Sequence, residues 1–362
     1  MTNMKVLIVG LGYAGKRYWR AFQYLNKKHE DIAVDFAYVS RSVKDVDIPY
    51  YADLKKALLS FKPGIVIVAV NDESHASVLK QLSGYTGFVI AEKPLLTQYD
   101  PLAESIDGLT NLKGFALDLV ERYSSATRVL KDFLIKNECR LIRGHFYWGK
   151  DRINDYRPTC GVISEVIHAL DLVSWIWPDN PPLEIRDVSG VNSDFSISGN
   201  TVMDSAFINA STGSAVITGY SSFVNIVRQR TVDFSFHDQC SRIIHARITY
   251  DTPAWDNDHL QVWTKDKFGR EEILLDYKTN KDTIPKGLET IYKLSALCSD
   301  VLLFCNSGIL PSQDFASLND SINLQRSLNK IAEGFNKYPI SQYICDGERI
   351  IQPKDADLEI LG

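Results

Sequence analysis

The 362-residue sequence has six cysteines, at positions 139, 160, 240, 298, 305 and 345, and no two of them form a Cys-x-x-Cys pair. That absence argues against a clustered zinc site and against a disulfide framework, and it suits a reducing, cytoplasmic setting. No stretch approaches the ~20 consecutive apolar residues that a bilayer-spanning helix needs. The opening "MTNMKVLIVG" enters an apolar run after one lysine, without the basic region and small-residue cleavage pattern of a secretory leader. The expectation is a soluble cytoplasmic protein with no membrane partner. Positive charge is not in excess: 40 Lys and Arg face 45 Asp and Glu, a formal net charge of −5. Such a balance argues against nucleic acid as a partner. Internal repeats, sustained heptads and low-complexity tracts are also missing. At 45% hydrophobic and 23% charged residues, the composition argues against extensive disorder, and the length fits two domains better than one.

What is present begins at once. "KVLIVG" is a short β-branched run, the pattern of a strand buried on both faces. It passes directly into "GLGYAG", so Gly10, Gly12 and Gly15 form G-x-G-x-x-G between a strand and a helix. The first glycine permits a tight turn, the second leaves room for a pyrophosphate, and the third lets helix and strand approach. Tyr13 and Ala14 open the helix, whose first-turn N–H groups can face a phosphate. This is the context of a dinucleotide site.

The second strand, "VDFAYVS" over 34–40, ends at Ser40, Arg41 and Ser42. No carboxylate stands there to take ribose hydroxyls, whereas an arginine flanked by serines suits a 2′-phosphate. The pattern favours NADP(H) over NAD(H); the alternative has Arg41 solvated and Asp45 folding back to the ribose. A helix from Asp53 to Ser60, capped by Asp53, precedes a strand over 64–70. "NDESHASVLKQL" then opens a helix and "GFVIAEKPL" supplies another strand. Strand–helix alternation predicts a parallel sheet, and Gly10, Arg41, Asn71 and Lys93 all fall at the carboxyl ends of its strands, where ligands collect.

Beyond residue 121 the pattern changes. Helical "RYSSATRVLKDFLI" and a strand "LIRGHFYWG" lead to a helix over 158–177, with Thr159 a candidate cap. Five partly alternating segments between 184 and 277 predict an antiparallel sheet, and two helices follow. We therefore expect an α/β protein: a Rossmann domain over 1–121, and over 122–362 a second α/β domain built on an open, mainly antiparallel sheet.

"GLGYAG", "AEKP" at 91–94 and a glycine-led helix ending in His168 together resemble the Gfo/Idh/MocA family (glucose–fructose oxidoreductase, inositol dehydrogenase, MocA). The order of elements follows that family over nearly the whole chain. The resemblance implies an NAD(P)-dependent oxidoreductase acting on a sugar, cyclitol or nucleotide-linked sugar. It implies that Lys93 of Glu-Lys-Pro lies beside the nicotinamide with Glu92, and that Pro94 is often cis. It identifies His75 with a family histidine, although Asn71 and Asp72 replace the family's Thr-Pro. The family motif G-G-x-x-x-D-x-G-x-H, aligned on His168, departs at two places: its Asp falls on Ser164 and its later Gly on Val166. Because open sheets of the family commonly pack face to face, the resemblance also implies a homodimer or homotetramer.

Hydride exchange with a carbinol requires a proton to move at oxygen, and Lys93 and His168 are the residue types suited to it. Glu165, one turn from His168, is a candidate to hold the imidazole, with Ser164 facing substrate; alternatively Ser164 alone faces substrate and Glu165 faces the core. Asp171 reads as structural, bonded to Arg157 or to the first domain. Two ligand-type residues do not make a metal site, so no metal is expected. The loop "YWGKDRINDYRP" offers Arg152, Tyr156 and Arg157 to a polyhydroxylated substrate, or is a solvated turn pinned by ion pairs. Two other classes stay open: a C=N reductase on the same scaffold, and a dinucleotide- or sugar-binding regulator without turnover.

Overall fold

Three apolar tetrads, Val6–Val9, Ile65–Val68 and Phe88–Ala91, lose nearly all contact with water. Apolar on both faces, they can only be interior strands of a parallel sheet covered on two sides. The computed structural model describes residues 2–152, 159–177, 181–196, 201–335 and 340–341. Its first part runs β1 (Thr2–Val9), α1 (Tyr13–Lys28), β2 (Ile32–Val39), β3 (Tyr50–Tyr51), α2 (Leu54–Phe61), β4 (Ile65–Val68), α3 (His75–Gln81), β5 (Phe88–Ala91), α4 (Leu102–Ile106) and β6 (Gly114–Leu117). All five pairings are parallel, in the order β3-β2-β1-β4-β5-β6. The order reverses at β1, which lies between β2 and β4. Ligands of such sheets bind at the carboxyl ends beside that switch. Asp53 caps α2 as expected, its carboxylate accepting from the Lys56 N–H at 2.7 Å.

The rest runs α5 (Ser125–Lys136), β7 (Arg140–Asp151), α6 (Ile163–Trp175), β8 (Leu183–Ser193), β9 (Val202–Thr212), β10 (Ala215–Ser222), β11 (Val224–His237), β12 (Ile243–Tyr250), β13 (His259–Lys265), β14 (Glu271–Lys278), α7 (Tyr292–Ser307), α8 (Leu318–Phe335) and β15 (Ile340–Ser341). Strands β7 to β15 form one sheet in the order β14-β13-β12-β11-β7-β10-β9-β8-β15. It is mainly antiparallel, with β7–β10 and β8–β15 parallel. Alternation along β7 sends Phe146 and Trp148 inward and leaves Arg143 and His145 exposed, and a bulge opposite Ser235 and Phe236 resets the period so that Leu141 also faces inward. The helix cap expected at Thr159 does not form. Its hydroxyl instead accepts from the Gly161 N–H at 3.1 Å, and α6 begins at Ile163 without a side-chain cap.

The described residues divide into two compact units: 2–120 with 285–325, and 121–284 with 326–341. The expected division assigned everything after 121 to the second domain, whereas 285–325 returns to the first. The physical reason lies in the contacts of that segment. Leu117 N–H at the end of β6 donates to Ala316 O at 2.9 Å. Phe304 and Phe315 pack edge-on against Phe88, and Arg17 and Arg20 of α1 donate to the carbonyls of Thr290 and Gly287. No helix among the described residues is long and apolar enough to cross a membrane.

Candidate active site

In the first unit the glycine turn closes β1. Gly10 has φ +95°, and its N–H donates to Val39 O at the end of β2 at 2.8 Å. A Cβ there would stand 2.6 Å from the Ala69 carbonyl oxygen just past β4, so only glycine fits the gap at the switch point. A Cβ on Gly15 would stand 2.0 Å from Gly10 O, which is how closely α1 is drawn to the strand. Around Gly12 a Cβ would meet nothing within 4 Å. That clear space adjoins the first turn of α1, which has no side-chain cap and no acidic residue. The positive end of the helix dipole and open space fit a pyrophosphate.

The remaining strand ends surround this turn. Ser40, Arg41 and Ser42 follow β2, with Arg41 and Ser42 exposed. The loop after them is shaped by the buried Tyr38, whose hydroxyl accepts from the Lys44 N–H at 2.8 Å. Asn71 is exposed after β4 and accepts from the Ser74 hydroxyl. Lys93 is half-buried after β5, and its peptide bond to Pro94 is cis. His75 is 1% exposed, with Nδ1 2.7 Å from Pro94 O and Nε2 3.2 Å from Val70 O. The ring therefore ties the turn carrying Lys93 to the end of β4. Leu96 N–H, donating to Gln325 Oε1 at 3.1 Å, secures the same turn.

Beneath it lies a feature with little trace in the sequence. Asp118, just past β6, is next to Glu92 in the continuation of the β5–β6 register. Burial, the Glu92 charge and a hydrogen bond shared with Glu92 push the Asp118 carboxyl well above its ordinary value, with Arg17 opposing. The buried Tyr18 phenol lies beside it, short of hydrogen-bond geometry, and is raised by burial and by the Asp118 charge. Glu92, expected at the cofactor, is thus half of a carboxyl pair under the lysine turn.

In the second unit α6 is buried along almost its whole length, including Ser164, Glu165, His168 and Asp171. Each polar group has its own partner. The Ser164 hydroxyl donates to Gly161 O at 2.9 Å, closing the start of the helix rather than presenting a free group. The Glu165 carboxylate accepts from Trp148 Nε1 at 3.0 Å and Arg230 Nη2 at 2.7 Å and pairs with Lys150 at 2.5 Å. His168 is not held by Glu165: its Nδ1 lies 2.7 Å from Oε2 of Glu121, and the Trp148 indole stacks along the ring. Helix geometry explains the correction, because the next-turn neighbour on a fully buried helix points at whichever element covers that side, here β7 and β11. Asp171 binds Arg122 through two hydrogen bonds of 2.8 and 2.5 Å; Arg157, the partner expected for it, lies outside the described residues.

Arg230 was not anticipated. It is fully buried, bonded to Glu165 and to Asp251 at 2.6 Å, and 3.8 Å from Glu121. Burial opposes its charge, but the Glu165, Asp251 and Glu121 carboxylates more than offset that and hold the guanidinium ionised. A signal existed: Arg230 shares the inward period of Val232, Phe234 and Phe236 on β11, a cation where the alternation places apolar groups. Arg152 lies over the Phe223 ring at 5.3 Å. Tyr156 and Arg157 lie outside the described residues. Among the described residues there is no group of three or more His, Cys, Asp or Glu side chains placed to hold a metal ion.

Residues 4–112 match the Gfo/Idh/MocA profile, described as "Oxidoreductase family, NAD-binding Rossmann fold". Residues 4–112 thus carry the NAD-binding Rossmann domain of this oxidoreductase family. Solved structures with the same fold include levoglucosan dehydrogenase in complex with NADH and levoglucosan, at 15% identity and TM-score 0.71, covering 93% of this chain and 98% of that one. UDP-N-acetylglucosamine 3-dehydrogenase from Acidithiobacillus ferrooxidans matches at 15% identity and TM-score 0.64, covering 92% and 98%. An oxidoreductase domain protein from Kribbella flavida matches at 15% identity and TM-score 0.72, covering 93% and 98%. No curated protein sequence matches the chain. The matched stretch holds both the glycine turn and the Glu-Lys-Pro turn. Ser164, where the resemblance implies an Asp, is engaged with its own helix start.

Proposed function

We propose that the protein is an NADP(H)-dependent oxidoreductase acting on a carbonyl or alcohol carbon of a polyhydroxylated substrate, a sugar, cyclitol or nucleotide-linked sugar. The observation that carries this reading is the glycine turn, whose clear space at Gly12 and uncapped helix start fit a dinucleotide pyrophosphate. The names of two structural relatives, dehydrogenases of levoglucosan and of UDP-N-acetylglucosamine, support the substrate class. When bound, the nicotinamide supplies or accepts the hydride. Lys93 and His168 are the groups assigned to the substrate oxygen, one to stabilise developing negative charge and one to move the proton. Arg41, exposed between two serines with no carboxylate among the three, is assigned to the 2′-phosphate of NADP(H). The exposed face of the second sheet supports a homo-oligomer: Phe207, Val216, Ile243 and Ile273 are each at least half exposed on it.

The test is titration of the purified protein with NADPH and NADH, followed by turnover on carbonyl, alcohol and imine panels. NADPH should bind at least roughly tenfold more tightly, about 1.4 kcal/mol, and Arg41→Ala should remove most of that difference. Turnover should fall at least 100-fold in Lys93→Ala and in His168→Ala with NADPH binding kept in the latter, a range typical of losing a general acid or base. Absence of binding to either dinucleotide, or binding without turnover on any panel, sinks the proposal; the second result points to a regulatory protein.

A further inference from the structure

We propose that Glu121 is the positioning residue of His168, supplying from outside α6 the carboxylate expected one turn away on the same helix. This inference rests on the oxidoreductase reading for its catalytic consequence, though not for its structural content.

The geometry isolates the pair. Glu121 sits in the short turn Val120–Tyr123 that opens the second unit, 2% exposed, with Oε2 2.7 Å from His168 Nδ1, a charge contact whose angle falls outside hydrogen-bond geometry. Trp148 stacks along the imidazole at 6.0 Å, so both the ring plane and one nitrogen are constrained. No described residue hydrogen-bonds Nε2, which leaves that nitrogen to a substrate oxygen. The negative charge of a carboxylate this close favours the proton on Nδ1, and the stacked Trp148 fixes the ring, so that Nε2 does the chemistry.

The other two acids of α6 are committed elsewhere. Glu165 is taken by Trp148, Lys150 and Arg230, and Asp171 by Arg122. Arg230 in turn holds Glu121: its Nη1 stands 3.8 Å from Oε1 and is anchored by Asp251. Among the described residues, the charged groups linked to this cluster are Arg230 on β11, Lys150 on β7, Asp251 after β12, and Glu165 and Asp171 of α6 with Arg122. Glu121 is the one paired with the ring. Replacement of the family's helix carboxylate by Ser164 thus leaves His168 with a carboxylate partner drawn from a different element.

The experiment compares full-length Glu121→Gln, Glu121→Ala and Glu121→Asp with the native protein. The first readout is nitrogen-15 NMR of the histidine rings in the resting protein, with the His168 signal assigned by its loss in His168→Gln. The native ring should carry its proton on Nδ1, and Glu121→Ala should lose that preference. The second readout is steady-state kinetics. In Glu121→Gln, which keeps an acceptor but loses the charge, kcat should fall roughly 10- to 100-fold with KM little changed. Glu121→Asp should recover part of that loss. An unchanged His168 ring spectrum in Glu121→Ala, or a Glu121→Gln protein with native kcat, overturns the assignment. A native protein that turns nothing over, yet loses the Nδ1 proton signal in Glu121→Ala, overturns the oxidoreductase reading and supports the Glu121–His168 pair.

Discussion

Asp118 and Glu92 meet where β6 and β5 end, and their proximity has a thermodynamic sign. A carboxyl raised in the folded state releases its proton at higher pH than in the unfolded chain. Its contribution to stability is then full below the ordinary value of 3.8 and is lost as pH rises through the folded value. At neutral pH the native protein is therefore penalised for this group. Asn does not titrate and can still donate to Glu92. We expect Asp118→Asn to melt roughly 2–4 °C higher than the native protein at pH 8, the shift that ~1 kcal/mol gives a domain of this size, with the gap closing toward pH 4. Thermal denaturation across that range checks it, and a variant less stable at pH 8 contradicts it. At this scale the residues of the nucleotide turn were legible in advance, because Gly10, Gly12 and Gly15 act through their own backbone. Glu92, His75 and Glu165 were legible as residues of interest but not in role, because each role is set by a neighbour distant in sequence.

The elements around the turn separate binding from folding. Gly12 and Gly15 belong to one motif, yet a Cβ meets nothing at the first and a backbone oxygen at 2.0 Å at the second. Gly12→Ala should therefore cost less than about 1 kcal/mol of stability while lowering dinucleotide affinity at least roughly tenfold. Gly15→Ala should destabilise the fold by about 1–3 kcal/mol or more, since α1 must move away from β1. Denaturant titration and NADPH binding on both variants separate the two effects; equal stability losses would refute the distinction. Helix α6 shows the opposite situation. Its apolar run pointed correctly to burial, but burial on every side erases the amphipathic stripe that tells a reader which way each polar group faces. Glu165 and His168, one turn apart, consequently find partners on different elements.

For the whole molecule, a chain that leaves the first unit at 120 and returns at 285 makes that unit depend on a segment far away in sequence. Nothing local in "GLETIYKLSALCSDVLLFCNSG" distinguishes a helix packed on α1 from one packed on the second sheet. The open sheet face makes the remaining prediction. Phe207, Tyr220 and Tyr147 form a continuous aromatic row across β9, β10 and β7, and Val216 lies on β10 with Tyr220. A Phe207→Lys, Val216→Lys double variant should sediment as a monomer and still bind NADPH, whereas the native protein should sediment as a dimer or tetramer. A native protein that is monomeric at micromolar concentration contradicts this.

Local spacing was enough to announce the parallel sheet, the nucleotide turn and the lysine turn, since strand periodicity, glycine placement and the Glu-Lys-Pro motif all act within a few residues. The partners of the buried charges were beyond its reach. Glu121 meets His168 across 47 positions, Arg230 meets Glu165 across 65, and Asp118 meets Glu92 across 26, and each pairing exists only after strands and helices have packed. A buried charge announces that it needs a partner, but the packing chooses which one.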